Sequence, residues 1–225
     1  MNEPARRHPL RTRIKICGLR THADVEAATM AGADAIGLVF YDKSPRNVTL
    51  EHATELARSL PPLVTPVGLF VNASPEFIRA AVNAIPNLLL QFHGDETPEQ
   101  CSAAGRGYMR AARVTPGFDL LNFANAYPDA MALLLDAHVE GYGGGGKVFD
   151  WSLVPHDVDF PLVLSGGLHA ANVQDGIRQL RPWAVDVSSG VESSRGVKDP
   201  AAIWRFCKAV RDTDARLADQ EDQSD

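Results

Sequence analysis

The sequence predicts an α/β fold, a single (β/α)8 barrel with a parallel eight-stranded core. Three observations predict it. Short, near-continuous apolar runs recur eight times along the 225 residues. Helix signals fill the spaces between them. The repeat is about 20 to 30 residues, the size of one strand plus one helix with its loops. Apolar runs bounded by Gly, Asp, Ser, His or Pro suit parallel strands buried on both faces. Chains of this length form such barrels as one domain. An open doubly wound sheet is the alternative, because pattern alone does not show closure.

The runs are Arg13–Cys17, Ala35–Phe40, Thr65–Phe70, Leu88–Gln91, Tyr108–Val114, Ala132–Asp136, Leu162–Ser165 and Ala184–Val187. After the first, Asp24–Ala31 reads as a helix closed by Gly32 at the C′ position. After the third, Ser74-Pro75-Glu76 supplies an N-cap, a proline at N1 and a first-turn acid. After the fourth, Thr97-Pro98-Glu99-Gln100 is a capping box with proline at N1. Pro116–Ala126 is weakly periodic, and Trp151–Val154 suffices for about one turn. Asp199-Pro200 opens the last helix. The expected organisation is a flexible extension over 1–12, a barrel over 13–211, and an acidic, disordered tail over 212–225.

Composition bounds the function. The chain has 22 basic and 28 acidic side chains, net −6, and 45% hydrophobic residues. The acidic balance argues against a nucleic-acid partner. The final fourteen residues carry six acids and one base, so the body before them is close to neutral and can host a cationic mouth. No 18-residue apolar stretch and no secretory signal occur, which excludes a membrane role. Three scattered cysteines, Cys17, Cys101 and Cys207, form neither a disulfide framework nor a CxxC zinc site. The expectation is a reduced, cytoplasmic protein, monomer or homodimer.

In such a barrel the chemistry lies at the C-terminal ends of the strands. Ser165-Gly166-Gly167 follows the seventh strand and Ser188-Ser189-Gly190 the eighth, where phosphate sites form from backbone N–H groups. A small phosphorylated ligand is therefore expected. Gly141–Lys147 formally begins a P-loop, but Val148 stands where the magnesium-binding Ser or Thr belongs. A lid with Lys147 as an anion contact, or a plain surface loop, fits better. Asp136 follows Leu133-Leu134-Leu135, a position suited to a general acid, to capping the next turn or to pairing with an Arg. Cys17, followed by Gly18, is either a thiol that ionises near cations and acts as a base or a small buried hydrophobe. Arg46, on the turn Ser44-Pro45-Arg46, is either a carboxylate clamp or a surface arginine.

The ordered set Lys15-Ile16-Cys17-Gly18, Gly37–Phe40 with Ser44-Pro45-Arg46, Val67–Asn72, Gln91-Phe92-His93-Gly94, Gly143–Lys147 with Phe149-Asp150-Trp151, Leu164–Leu168 and Val185–Glu192 resembles the phosphoribosylanthranilate isomerase family over about residues 13 to 210. The resemblance implies an Amadori rearrangement in tryptophan biosynthesis, without metal or organic cofactor. It implies Cys17 as general base, Asp136 as general acid, and Arg46 on the anthranilate carboxylate. His93 and Asp186 would be substrate or supporting contacts. Phosphate would rest on Gly166, Gly167, Ser189 and Gly190, with Gly143, Gly144 and Lys147 nearby. Asn47, Gly145 and Arg195 depart from the family's usual residues.

Competing readings are a metal-dependent epimerase, a Schiff-base aldolase, the synthase that follows in the pathway, and a phosphate-binding barrel without turnover. Only His93 falls at a strand end, against a metal epimerase. No lysine other than the loop residue Lys147 ends a strand, against a Schiff base.

Overall fold

The computed structural model describes residues 11–137, 150–155 and 158–222. Its chain order is β1 (Arg13–Cys17), α1 (His22–Met30), β2 (Ala35–Phe40), α2 (Leu50–Arg58), β3 (Thr65–Phe70), α3 (Pro75–Ala84), β4 (Leu89–Phe92), α4 (Pro98–Ser102), β5 (Tyr108–Val114), α5 (Leu120–Ala126) and β6 (Ala130–Ala137). A 3₁₀ turn (Trp151–Leu153), β7 (Leu162–Leu164), α6 (Val173–Leu180) and β8 (Ala184–Val187) follow. A second 3₁₀ turn (Ser189–Val191), a hairpin of β9 (Glu192–Ser194) and β10 (Val197–Lys198), and α7 (Pro200–Asp222) end the described chain.

The first eight strands pair in parallel, in sequence order, and β1 closes on β8. Closure excludes the doubly wound alternative. The caps act as the sequence implies: Ser74 accepts from the Phe77 N–H and Thr97 from the Gln100 N–H, while Gly32 takes φ +85° after α1. Among the described residues the sixth helix is reduced to the single turn at Trp151.

Side chains alternate across the wall because successive residues of a strand point to opposite faces. Ile14, Ile16, Ile36, Leu38, Phe70 and Phe92 pack outward against the helices. Val67, Met109, Ala111, Ala132, Leu134, Val163 and Ala184 fill the lumen. The register continues this inward set upward through Cys17↔Gly37, Lys15↔Asp186, Leu69↔Gln91 and Arg113↔Asp136. An apolar plug thus floors a polar mouth.

Of the two expected flexible ends, the acidic tail needs correction. Residues 1–10 and 223–225 lie outside the described residues, but Thr12 donates to Asp214 through its N–H at 2.7 Å and its hydroxyl at 2.8 Å. The segment 212–222, expected to be disordered, continues α7. The reason is periodicity: Ile203, Phe206, Val210, Thr213 and Leu217 are buried along one helical stripe, which outweighs the charge of the opposite face. No helix among the described residues is long and apolar enough to cross a membrane.

Candidate active site

Cys17 ends β1 with its side chain inside the barrel, 4% exposed. Space for its sulfur comes from Gly37 on β2: a Cβ there would sit 2.6 Å from the Cys17 Sγ. Lys15, two residues earlier on the same inward face, donates from Nζ to Asp186 Oδ1 at 2.7 Å. The other Asp186 oxygen accepts from Ser165 Oγ at 3.2 Å. The Ser188 hydroxyl donates to the Cys17 carbonyl at 3.0 Å and ties the β8 loop to the end of β1. Burial pushes the Cys17 thiol up, Lys15 pulls it down, and Asp186 pushes it up again. The net direction is upward, so burial outweighs the nearby cations that the sequence suggested would ionise the thiol.

Three strands away around the ring, Asp136 projects inward near the end of β6. Its Oδ2 lies 3.1 Å from His93 Nε2, and His93 Nδ1 lies 3.1 Å from Gln91 Nε2. With the Gln91 amide nitrogen facing Nδ1, that ring nitrogen accepts and Nε2–H donates to the carboxylate. The loop carrying His93 is fixed from beneath. Arg110 donates to the carbonyls of Phe92 and Gly94, both at 3.0 Å, and Glu96 accepts from the Gly94 N–H at 2.8 Å.

Arg46 is buried. Its Nε donates to Glu192 Oε1 at 2.7 Å and its Nη2 to Oε2 at 2.9 Å. Lys198 donates to the same Oε1 at 2.9 Å, and the Gly196 N–H to Oε2 at 3.0 Å. Burial works to raise the Glu192 pKa, but Arg46 and Lys198 prevail and hold it at about 2. Gly18, at φ +79°, makes room for the arginine stem, since a Cβ there would lie 2.5 Å from Arg46 Cδ.

Gly166 and Gly167 adopt φ +78° and +66°, a conformation that favours glycine. Gly190 packs directly on the Leu168 carbonyl, so the loops after β7 and β8 touch through their backbones. Among the described residues, none of the N–H groups of Gly166, Gly167, Ser189 and Gly190 donates to a backbone carbonyl. Two adjacent turns with N–H groups to spare are suited to holding an anion.

A family model described as N-(5'phosphoribosyl)anthranilate (PRA) isomerase matches residues 14–209. The chain belongs to the phosphoribosylanthranilate isomerase family. The N-(5'-phosphoribosyl)anthranilate isomerases of Leptothrix cholodnii and Methylibium petroleiphilum are each 70% identical to it, over 94% of this chain and 96% and 100% of theirs. The crystal structure of phosphoribosyl anthranilate isomerase from Thermotoga maritima superposes with a TM-score of 0.83 at 41% identity, covering 89% of this chain and 99% of that one. A crystal structure of phosphoribosyl anthranilate isomerase in complex with reduced 1-(o-carboxyphenylamino)-1-deoxyribulose 5-phosphate gives a TM-score of 0.80 at 38% identity, again covering 89% and 99%.

Within this isomerase-family barrel, Cys17, His93, Asp136 and Asp186 all reach the polar mouth, and Arg46 stands beside Gly18 at its edge. Gly143, Gly144 and Lys147, expected near the phosphate, lie outside the described residues. Sequence reasoning missed Lys15, Gln91, Glu192 and Lys198. No lysine ends a barrel strand among the described residues, but Lys15, 4% exposed, stands inside the barrel. It lies mid-strand rather than at a strand end, so a search of strand ends passed over it. The parity shared by Lys15 and Cys17 was the available signal.

Proposed function

We propose that this chain catalyses the isomerisation of N-(5-phosphoribosyl)anthranilate to 1-(2-carboxyphenylamino)-1-deoxyribulose 5-phosphate in tryptophan biosynthesis. The observation that carries the reading is an inward thiol on β1 and an inward carboxylate on β6, facing one mouth above an apolar floor, in a chain of this family.

The chemistry is the rearrangement that the family resemblance implies, set on these residues. Protonated Asp136 gives its proton to the furanose ring oxygen, the C1′–O bond breaks, and an iminium forms at C1′–N. Because His93 Nε2–H occupies Oδ2, the transferable proton belongs on Oδ1. The iminium acidifies C2′–H, and the Cys17 thiolate removes that proton to give an enolamine. The iminium also brings positive charge beside the sulfur when a thiolate is needed, offsetting the burial that disfavours it. Reprotonation at C1′ and loss of the 2′-hydroxyl proton complete the ketone, so the proton count balances.

Arg46, oriented by Glu192, directs its remaining N–H donors at the anthranilate carboxylate. The phosphate is held by the N–H groups of Gly166, Gly167, Ser189 and Gly190. Asp186 acts through Lys15 and Ser165. The reading includes a small phosphorylated substrate, no nucleic-acid partner, a cytoplasmic location, and a monomer or homodimer. Free cysteines support a reducing compartment. Purified protein mixed with phosphoribosylanthranilate is expected to convert it to the deoxyribulose product, followed by loss of substrate fluorescence. Binding without conversion would refute the activity and favour a phosphate-binding barrel.

A further inference from the structure

A lysine is almost never this deeply buried unless it is paired, and a buried ion pair is weak evidence for stability. Lys15 and Asp186 form such a pair at 2.7 Å, with exposures of 4% and 6%. The lumen below is already filled by Val67, Ala111, Leu134 and Val163, so packing does not explain a charge here. The position of the ammonium does. It is anchored by Asp186, which is anchored by Ser165, on the inward face of β1 two residues before Cys17. The charged groups facing the thiol are Lys15 on its own strand, Asp186 on β8 and Lys198 on β10. On the β2 side, Gly37 contributes only space.

We infer that Lys15 is a positioning residue for the base: held by Asp186, its ammonium stabilises the Cys17 thiolate that takes the C2′ proton. The inference rests on the assignment of Cys17 as base. No proton leaves Lys15; one proton passes from C2′ to the sulfur while the adjacent ammonium keeps its charge. Burial works to lower the Lys15 pKa, but Asp186 and then Cys17 reverse this and raise it, so the charge persists at neutral pH.

The test is a pH titration of thiolate ultraviolet absorbance on the full chain, with kcat and KM measured over the same range. Wild type, Cys17→Ser, Lys15→Met and the double variant Lys15→Met/Asp186→Asn are compared. Burial pushes Cys101 up to about 12 and Cys207 up to about 11, so subtracting the Cys17→Ser trace isolates Cys17. Lys15→Met is expected to raise the Cys17 ionisation by about one pH unit or more. It should lower kcat about tenfold with little change in KM, and part of the loss should return at higher pH. The double variant also removes the repelling carboxylate, so its ionisation should fall between wild type and Lys15→Met.

A folded Lys15→Met protein that titrates as wild type overturns the role of Lys15. If that variant does not fold, the double variant decides: ionisation above wild type supports the inference, and ionisation at or below it overturns it. Near-wild-type turnover by Cys17→Ser would refute the base assignment and the inference with it. An inactive Cys17→Ser beside an unshifted Lys15→Met refutes the inference alone.

Discussion

Arg46 and Glu192 form a two-point ion pair, Nε to Oε1 at 2.7 Å and Nη2 to Oε2 at 2.9 Å, which fixes the plane of the guanidinium at the rim of the barrel mouth. A lysine cannot reproduce that fork. Arg46→Lys is therefore expected to raise KM for phosphoribosylanthranilate about tenfold or more, the scale of one charged hydrogen bond, while kcat changes little. Steady-state kinetics check this, and an unchanged KM would remove Arg46 from carboxylate recognition.

The same pair gives a pH signature. Glu192 is held at about 2 against an ordinary 4.5. A carboxylate depressed on folding stabilises the protein above its unfolded value and loses that contribution as pH falls through the folded one. The melting temperature of wild type should exceed that of Glu192→Gln at neutral pH, and the gap should close between 4.5 and about 2. Thermal melts across that range check it; a gap independent of pH would contradict it.

Two glycines are required by close approach. In Gly37→Ala the new methyl would lie 2.6 Å from the Cys17 sulfur and 2.9 Å from its Cα. Overpacking of this kind costs about 1–3 kcal/mol, and kcat should fall because the displaced group is the proposed base. In Gly190→Ala the methyl meets the Leu168 carbonyl oxygen, so the paired loops must separate. There the loss should appear mainly in KM and in the affinity for inorganic phosphate, measurable by calorimetry.

Much of this barrel was legible in the sequence, and the parts that were not share a physical cause. Strand runs such as Ala35–Phe40 and Thr65–Phe70 match the structure because parallel strands covered on both faces are near-continuously apolar. Such runs hide which residues point inward, so Lys15 in mid-strand and Gln91 at the close of its run carried no assigned role. Asp136, at the end of a leucine run, and Cys17, beside a glycine, stood out by position. Glu192 and Lys198 did not, because their partner Arg46 is 146 residues from Glu192 along the chain and the hairpin bearing them follows the last barrel strand. The acidic tail misled because charge was counted where helical period mattered: Thr213 and Leu217 continue the buried stripe of α7.

That helix yields a stability prediction. Leu217→Ala should cost about 2 kcal/mol, the lower end for a buried leucine, since the site is near the helix end. Removing residues 212–225 would also break the Thr12–Asp214 contacts and should destabilise further. Urea denaturation measures both, and a truncated chain as stable as the full one would show that the segment is not part of the folded unit.

The division of labour between Cys17 and Asp136 is tested most directly by kcat at saturating substrate for Cys17→Ser and Asp136→Asn. Each is expected to fall about 10²-fold or more, the scale of a lost general base or acid, with KM nearly unchanged. Turnover near the wild-type rate in either variant would contradict the assignment of that residue.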